Sequence, residues 1–190
     1  MPAALGRDAV LTGYRIFTRF PTPGGRAMRG LYILRSDSQQ RLIVVVGNLL
    51  TRYRYRLGSV RLTVDSGRLH ATVDSRDGAA DLAVTADLGS VPARLPPGSP
   101  FADDAAARRF AGPLPYTFHH EAATDSIVVV KAHRSTWRPE PIAVTVTRAT
   151  FLRQGPFADT EPVLAQAFHV SGIDYGWHRG HRRALDGTAR

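Results

Sequence analysis

Lys131 is the only lysine in the chain. It sits in the apolar stretch Ser126–Arg134, where an extended backbone puts it on one face with Ile127, Val129, His133 and, further along, Trp137. If that face lines a pocket, the amine is desolvated and becomes nucleophilic near neutral pH, which is what Schiff-base chemistry requires. The competing reading is an ordinary solvent-facing lysine on a strand. A second reactive-looking run is His119-His120-Glu121. Neighbouring residues of a strand point to opposite faces, so the two histidines cannot share one ion. His119 and Glu121 do share a face, but His133 would have to join them from another strand, and nothing in the sequence fixes that pairing. His178 and His181 make no stronger case. No metal and no cofactor is expected.

Arg52-Tyr53-Arg54-Tyr55-Arg56 is the most unusual short run. Interleaved arginine and tyrosine can stack bases or grip a phosphate or carboxylate. Alternatively the tyrosines pack inward at a helix end and the arginines cap its carbonyls. Trp137, between Arg134 and Arg138 and beside Pro139, can line a pocket mouth or fill core. The candidate ligand-binding residues are therefore Arg52, Arg54, Tyr116, His133, Arg134 and Trp137, and Lys131 is the candidate catalytic residue. The chain has no glycine-rich phosphate loop and no Gly-x-Ser-x-Gly elbow.

Strands must carry most of these residues. Gly13–Phe20 alternates, Pro21–Gly25 reads as a turn, and Gly30–Arg35 returns, predicting a hairpin. Leu42, Val45, Val46, Leu49, Leu50 and Tyr53 follow helical spacing. They predict a helix from about Ser38 to Arg52, capped by Ser36 or Asp37, with a buried stripe containing Leu42, Val46 and Leu49. Val60–Val64, Leu69–Val73 and Leu82–Ala86 alternate around the turns Ser66-Gly67 and Arg76-Asp77-Gly78, as an antiparallel meander does. Val91–Pro100 reads as a loop. Ser99-Pro100 opens a second helix, about twelve residues long, that Gly112-Pro113 stops. Leu114–Phe118, Ser126–Arg134 and Ile142–Arg148 are further strands. Thr160–Ala167 reads as a last short helix, Phe168–Trp177 as a closing strand, and the basic tail from Gly180 as loose. The fold class is α+β and β-rich: an antiparallel barrel or cone with two or three short helices, forming one domain over 1–190 with its core at about 13–180.

The 190 residues suffice for a real core, and the 43% hydrophobic share excludes wholesale disorder. The longest apolar run, Leu42–Val46, is five residues, far below the roughly 20 that span a bilayer, so no membrane partner is expected. Met1–Val10 does not read as a signal peptide, and the expected location is cytoplasmic. The absence of cysteine excludes disulfides, thiolate catalysis and cysteine-held zinc or iron–sulfur clusters. The net charge of +9 admits anionic partners, but the arginines are dispersed, which argues against nucleic acid.

Four segments carry a resemblance. RGLYILRSDSQQRLIVVVGNLLTRYRYR, FADDAAARRFAGPLPYTFHHE, SIVVVKAHRSTWRPEPIAVTV and AFHVSGIDYGWHRG, in that order, resemble segments of the bacterial YqjF-like proteins, a family of unknown function. That resemblance implies the acetoacetate-decarboxylase-like fold, a small antiparallel β-barrel or cone around a pocket. Members of the family carry a further β-rich stretch ahead of the strand matching Gly13–Phe20. The resemblance therefore implies a barrel wall that is missing or is lent by a second copy or a partner chain. It also implies a small-molecule ligand, of anionic preference given the arginines. Acetoacetate decarboxylase uses a lysine amine with a second lysine close by, and that adjacent pair is absent here. The leading reading is a small-molecule-binding barrel. The alternatives are a Schiff-base enzyme using Lys131 and a basic nucleic-acid-binding module. Lys131 is expected not to be a Schiff-base nucleophile.

Overall fold

A computed structural model describes residues 10–22, 27–51, 53–89 and 94–184. In chain order the elements are β1 (Leu11–Phe20), β2 (Met28–Ser38), α1 (Arg41–Thr51), β3 (Tyr55–Asp65), β4 (Arg68–Ser75), β5 (Leu82–Asp87), α2 (Asp104–Ala111), β6 (Tyr116–Glu121), β7 (Ser126–Arg134), β8 (Glu140–Pro141), β9 (Val144–Ala149), β10 (Phe168–His169), β11 (Tyr175–Trp177) and β12 (His181–Ala184). Arg52, most of the Pro21–Gly25 turn, the start of the Val91–Pro100 loop, the residues before Val10 and the tail beyond Ala184 lie outside the described residues. The chain divides into two compact units, Met1–Arg56 with Leu114–Ser135 and Asp174–Arg190, and Leu57–Pro113 with Thr136–Ile173.

In the first unit β1 and β2 form the expected hairpin, with a bulge between Tyr14 and Arg15. β2 then pairs parallel with β6 through Gly30, Leu31 and Tyr32. β6 pairs antiparallel with β7, and the far edge of β7 holds β12 along Ser126–Val129 and β11 along Ala132–Arg134. The parallel contact is unusually close: a side chain on Gly30 would run into the Tyr116 carbonyl and the Phe118 ring. Both sheet faces carry apolar clusters. Ile33, Tyr53, Tyr55, Val128 and Val130 pack with Ile43 and Val44 of α1 on one side. Phe118, Ile127 and Val129 pack with Phe20, Met28, Tyr32 and Tyr116 on the other.

The second unit contains the meander, β3–β4–β5, extended by β9, all antiparallel. Ser66 and Gly67 both take positive φ, +48° and +79°, as a tight hairpin turn requires. β8 and β10 form a separate two-stranded ladder.

Several expectations need correction. The sheet is mixed and its strand order is open, not an antiparallel closed barrel. Some 80 residues separate β2 from β6, so the two meet through a long excursion that can bring β6 back parallel. Helix α1 forms over Arg41–Thr51, but its inward face is Ile43, Val44, Gly47 and Asn48. Leu42, Val45 and Leu49 are 59%, 66% and 72% exposed. Ser36 and Asp37 do not cap it: both are buried inside β2. The second helix is shorter than expected, because Asp103 caps it with its carboxylate accepting from Ala106 N at 2.6 Å. Ser99 instead donates to the Ala165 carbonyl at 2.7 Å. Finally, Thr160–Ala167 forms no helix, and Phe168–Trp177 is split into β10 and β11.

Candidate functional site

β7 sorts the expected site residues by parity. Its odd positions, Ile127, Val129, Lys131 and His133, share a face with Tyr116 and Phe118, because Tyr116 pairs with Lys131 and Phe118 with Val129. On this row Lys131 and His133 are solvent-exposed. Tyr116 is half-buried and stacked on Phe118. Even positions Val128 and Val130 face the core under α1, with Ala132 and Arg134 continuing the row.

At the end of that even row the register sets Trp177 opposite Ala132 and Tyr175 opposite Arg134. The Arg134 guanidinium lies over the Tyr175 ring, 5.3 Å from its centroid. Trp177 meets Tyr175 edge-on at 4.8 Å and Tyr53 edge-on at 6.2 Å, and Tyr53 in turn leans on Tyr55 at 6.0 Å. The Tyr53 and Thr117 hydroxyls are 2.6 Å apart. The indole nitrogen of Trp177 is buried and has no hydrogen-bond partner among the described residues. Burial pushes the Tyr53 phenol well above its ordinary range, against the lowering pull of its Thr117 hydrogen bond. Burial likewise pushes Tyr55 up to about 12, partly offset by the positive charge of Arg15. Both phenols are therefore neutral donors at physiological pH. The result is an aromatic corner with Arg134 at its edge over the exposed Tyr175. Such a corner offers a carboxylate the Arg134 guanidinium, with ring walls for the carbon skeleton.

The Arg-Tyr run resolves by the same alternation. Tyr53 and Tyr55 are buried and Arg54 and Arg56 exposed. Asn48 of α1 holds Tyr55 like a missing strand neighbour, donating to its carbonyl at 2.9 Å and accepting from its N–H at 2.7 Å. Arg54 takes a left-handed φ of 54°, and its carbonyl accepts from Ser36 N at 3.5 Å. Buried tyrosines cannot stack on bases. In His119-His120-Glu121 each side chain turns to a different neighbour: His119 stacks on Tyr32, His120 lies 3.1 Å from Asp125, and Glu121 pairs with Arg182 at 2.6 Å. Trp137, half-buried, belongs to the second unit. That unit also has a half-open groove of about 310 Å³ between β5 and β9, edged by Arg68, Asp87, Thr85 and Thr145, none of them an expected site residue.

No protein-family model matches the sequence, and no curated protein matches it. Among solved structures, the chain is similar to the crystal structure of acetoacetate decarboxylase from Legionella pneumophila, with a TM-score of 0.62 and 12% identity over 93% of this chain and 67% of the decarboxylase. The chain has the acetoacetate-decarboxylase-like fold. At that identity the likeness carries the strand-rich fold and no residue's role.

Within this decarboxylase-like fold, three elements of the corner escaped sequence reading. Tyr175 and Trp177 are two apart, so any extended backbone puts both on one face; that alternation was the available signal. Thr117 carries none. Arg35 and Asp37 form a bidentate pair, Nε–Oδ2 and Nη2–Oδ1 both at 2.8 Å, buried on the row of Ile33. Their i, i+2 spacing in a strand is the signal for that pair, but Ser36-Asp37 also reads as a helix cap.

Proposed function

We propose that the protein binds a small organic anion against the aromatic corner, with Arg134 as its charge partner and Trp177 as its donor. The observation that carries this is the Arg134 guanidinium over Tyr175, beside the buried Trp177 N–H, which has no hydrogen-bond partner among the described residues. A buried donor costs about 1–3 kcal/mol when unsatisfied, so a ligand acceptor there gains that much in return. Tyr116 of β6 and His133 of β7 lie on the other face of this strand pair and do not join this site. Trp137, Arg52 and Arg54 are not required by it. The match to the decarboxylase spans parts of both units, which supports reading 1–190 as one domain. Calorimetric titration with a panel of short aliphatic and aromatic carboxylates tests the proposal. Binding of at least one acid, weakened tenfold or more by Arg134→Gln, is expected; no heat from any acid, or an unchanged constant in Arg134→Gln, refutes it.

The Schiff-base alternative needs a neutral amine. An ordinary lysine titrates near 10.4, so bringing it to about 7 requires about 5 kcal/mol of differential destabilisation of the ammonium. Lys131 is exposed, and no second lysine exists to supply that. Borohydride treatment with acetoacetate or pyruvate, read by intact mass, is expected to leave the protein unmodified. An adduct that disappears in Lys131→Ala would establish the alternative instead.

A further inference from the structure

Helix α1 is apolar on both sides. Its inward face, Ile43, Val44 and Gly47, packs on the core, and Gly47 lies so close to the Tyr55 ring that a side chain would not fit. Its outward face is Leu42, Val45, Val46, Leu49 and Leu50, at spacings i, i+3, i+4, i+7 and i+8. Four of the five are exposed to between 41% and 72%. From Leu42 to Thr51 the helix has no charged residue. A helix apolar all round is normally covered all round.

What surrounds this stripe is basic. Arg41 begins the helix and is exposed, and Arg54 is exposed three residues beyond its end. The Gly180 N–H donates to the Leu50 carbonyl at 3.4 Å, which brings the exposed Arg179 beside the last turn. Between Asp37 and Asp65 the sequence has five arginines and no acid, and Asp37 is itself buried against Arg35.

We propose that this face of α1 docks in the plane of an anionic phospholipid surface, its aliphatic stripe entering the headgroup–acyl boundary while Arg41, Arg54 and Arg179 meet the phosphates. An anionic membrane supplies both an apolar phase and negative charge, which is the combination this patch complements. A second copy of the chain fits worse. A two-fold contact across α1 sets Arg41, Arg54 and Arg179 against the same arginines of the second copy. An eleven-residue helix, about 16 Å long, also buries well short of the roughly 1,200 Å² of a stable interface. At that length the helix cannot span the roughly 30 Å hydrocarbon core, so the contact is a peripheral one.

The test is co-sedimentation of the full chain with vesicles of phosphatidylcholine alone and of phosphatidylcholine with phosphatidylglycerol. Binding is expected to the anionic vesicles only and to fall as salt rises. The double substitution Val45→Ser/Leu49→Ser is expected to lower the partition coefficient on the order of tenfold. Both positions are exposed, so circular dichroism should show the fold intact. Arg54→Gln should weaken binding less and flatten the salt dependence. Equal binding to neutral vesicles, no binding to either, or binding indifferent to the double substitution overturns the proposal. So does sedimentation equilibrium showing a dimer that the double substitution dissolves, since the occupant is then a second copy.

Discussion

Asp37 shows what a single buried charge demands. Its carboxylate is fully enclosed and takes both prongs of Arg35 from two positions away on the same strand. Removing one partner of such a pair strands the other charge in the core, which costs about 3–5 kcal/mol, whereas exchanging both for apolar residues can be neutral. Asp37→Asn is therefore expected to lower the urea midpoint sharply and the double change Arg35→Met/Asp37→Leu much less. Equal losses would mean the pair is held for its own stability.

The tyrosines make a second residue-scale prediction. Tyr53 and Tyr55 have phenols raised by burial, Tyr55 to about 12, against about 10 in the unfolded chain. Above pH 10 the unfolded state loses protons that the folded state keeps, so stability present below that pH is lost on going higher. For Tyr55 the loss approaches about 3 kcal/mol beyond pH 12. Phenolate absorbance and unfolding should rise together for these two residues in alkali, and Tyr55→Phe should move the alkaline transition upward. Ionisation of both in a fully folded protein would contradict their burial.

At the scale of elements, α1 offers the sharpest contrast. Ile43→Ala on the inward face should cost about 1–2 kcal/mol, and Leu49→Ala on the outward face under about 0.5 kcal/mol. The helical period predicted the opposite order. In Leu42–Leu50 nearly every residue is apolar, so the period fixes a helix but gives no polar marker for which side faces in. Asn48 was that marker in disguise, since its amide is spent on the backbone of Tyr55 rather than on water. The meander was legible for the reverse reason: β3, β4 and β5 alternate apolar and polar residues around two well-marked turns, and each pairs with its neighbour in sequence. The parallel pairing of β2 with β6 was not legible, because only Gly30 hints at it and a glycine has many other uses. Of the candidate site, Arg134 was legible as a strand arginine beside aromatics. Its partner Tyr175 comes from a segment 41 residues on, which local reading cannot reach.

For the whole molecule, the decarboxylase-like fold and the arginine-rich composition give the frame, and the chemistry depends on which arginines meet a polar donor and a ring. By that criterion the corner at Arg134, Tyr175 and Trp177 stands above Lys131, which has neither a second lysine nor burial. The chain has two tryptophans, so its ¹⁵N-labelled form has two indole N–H resonances, and Trp177→Phe assigns them. The most direct measurement is to follow both resonances during titration with the acid that calorimetry selects. The Trp177 signal is expected to move downfield and saturate, the Trp137 signal to stay in place, and Arg134→Gln to abolish the shift. A saturable shift of Trp137 alone, or a Trp177 signal that never moves while the acid binds, would contradict the proposed site.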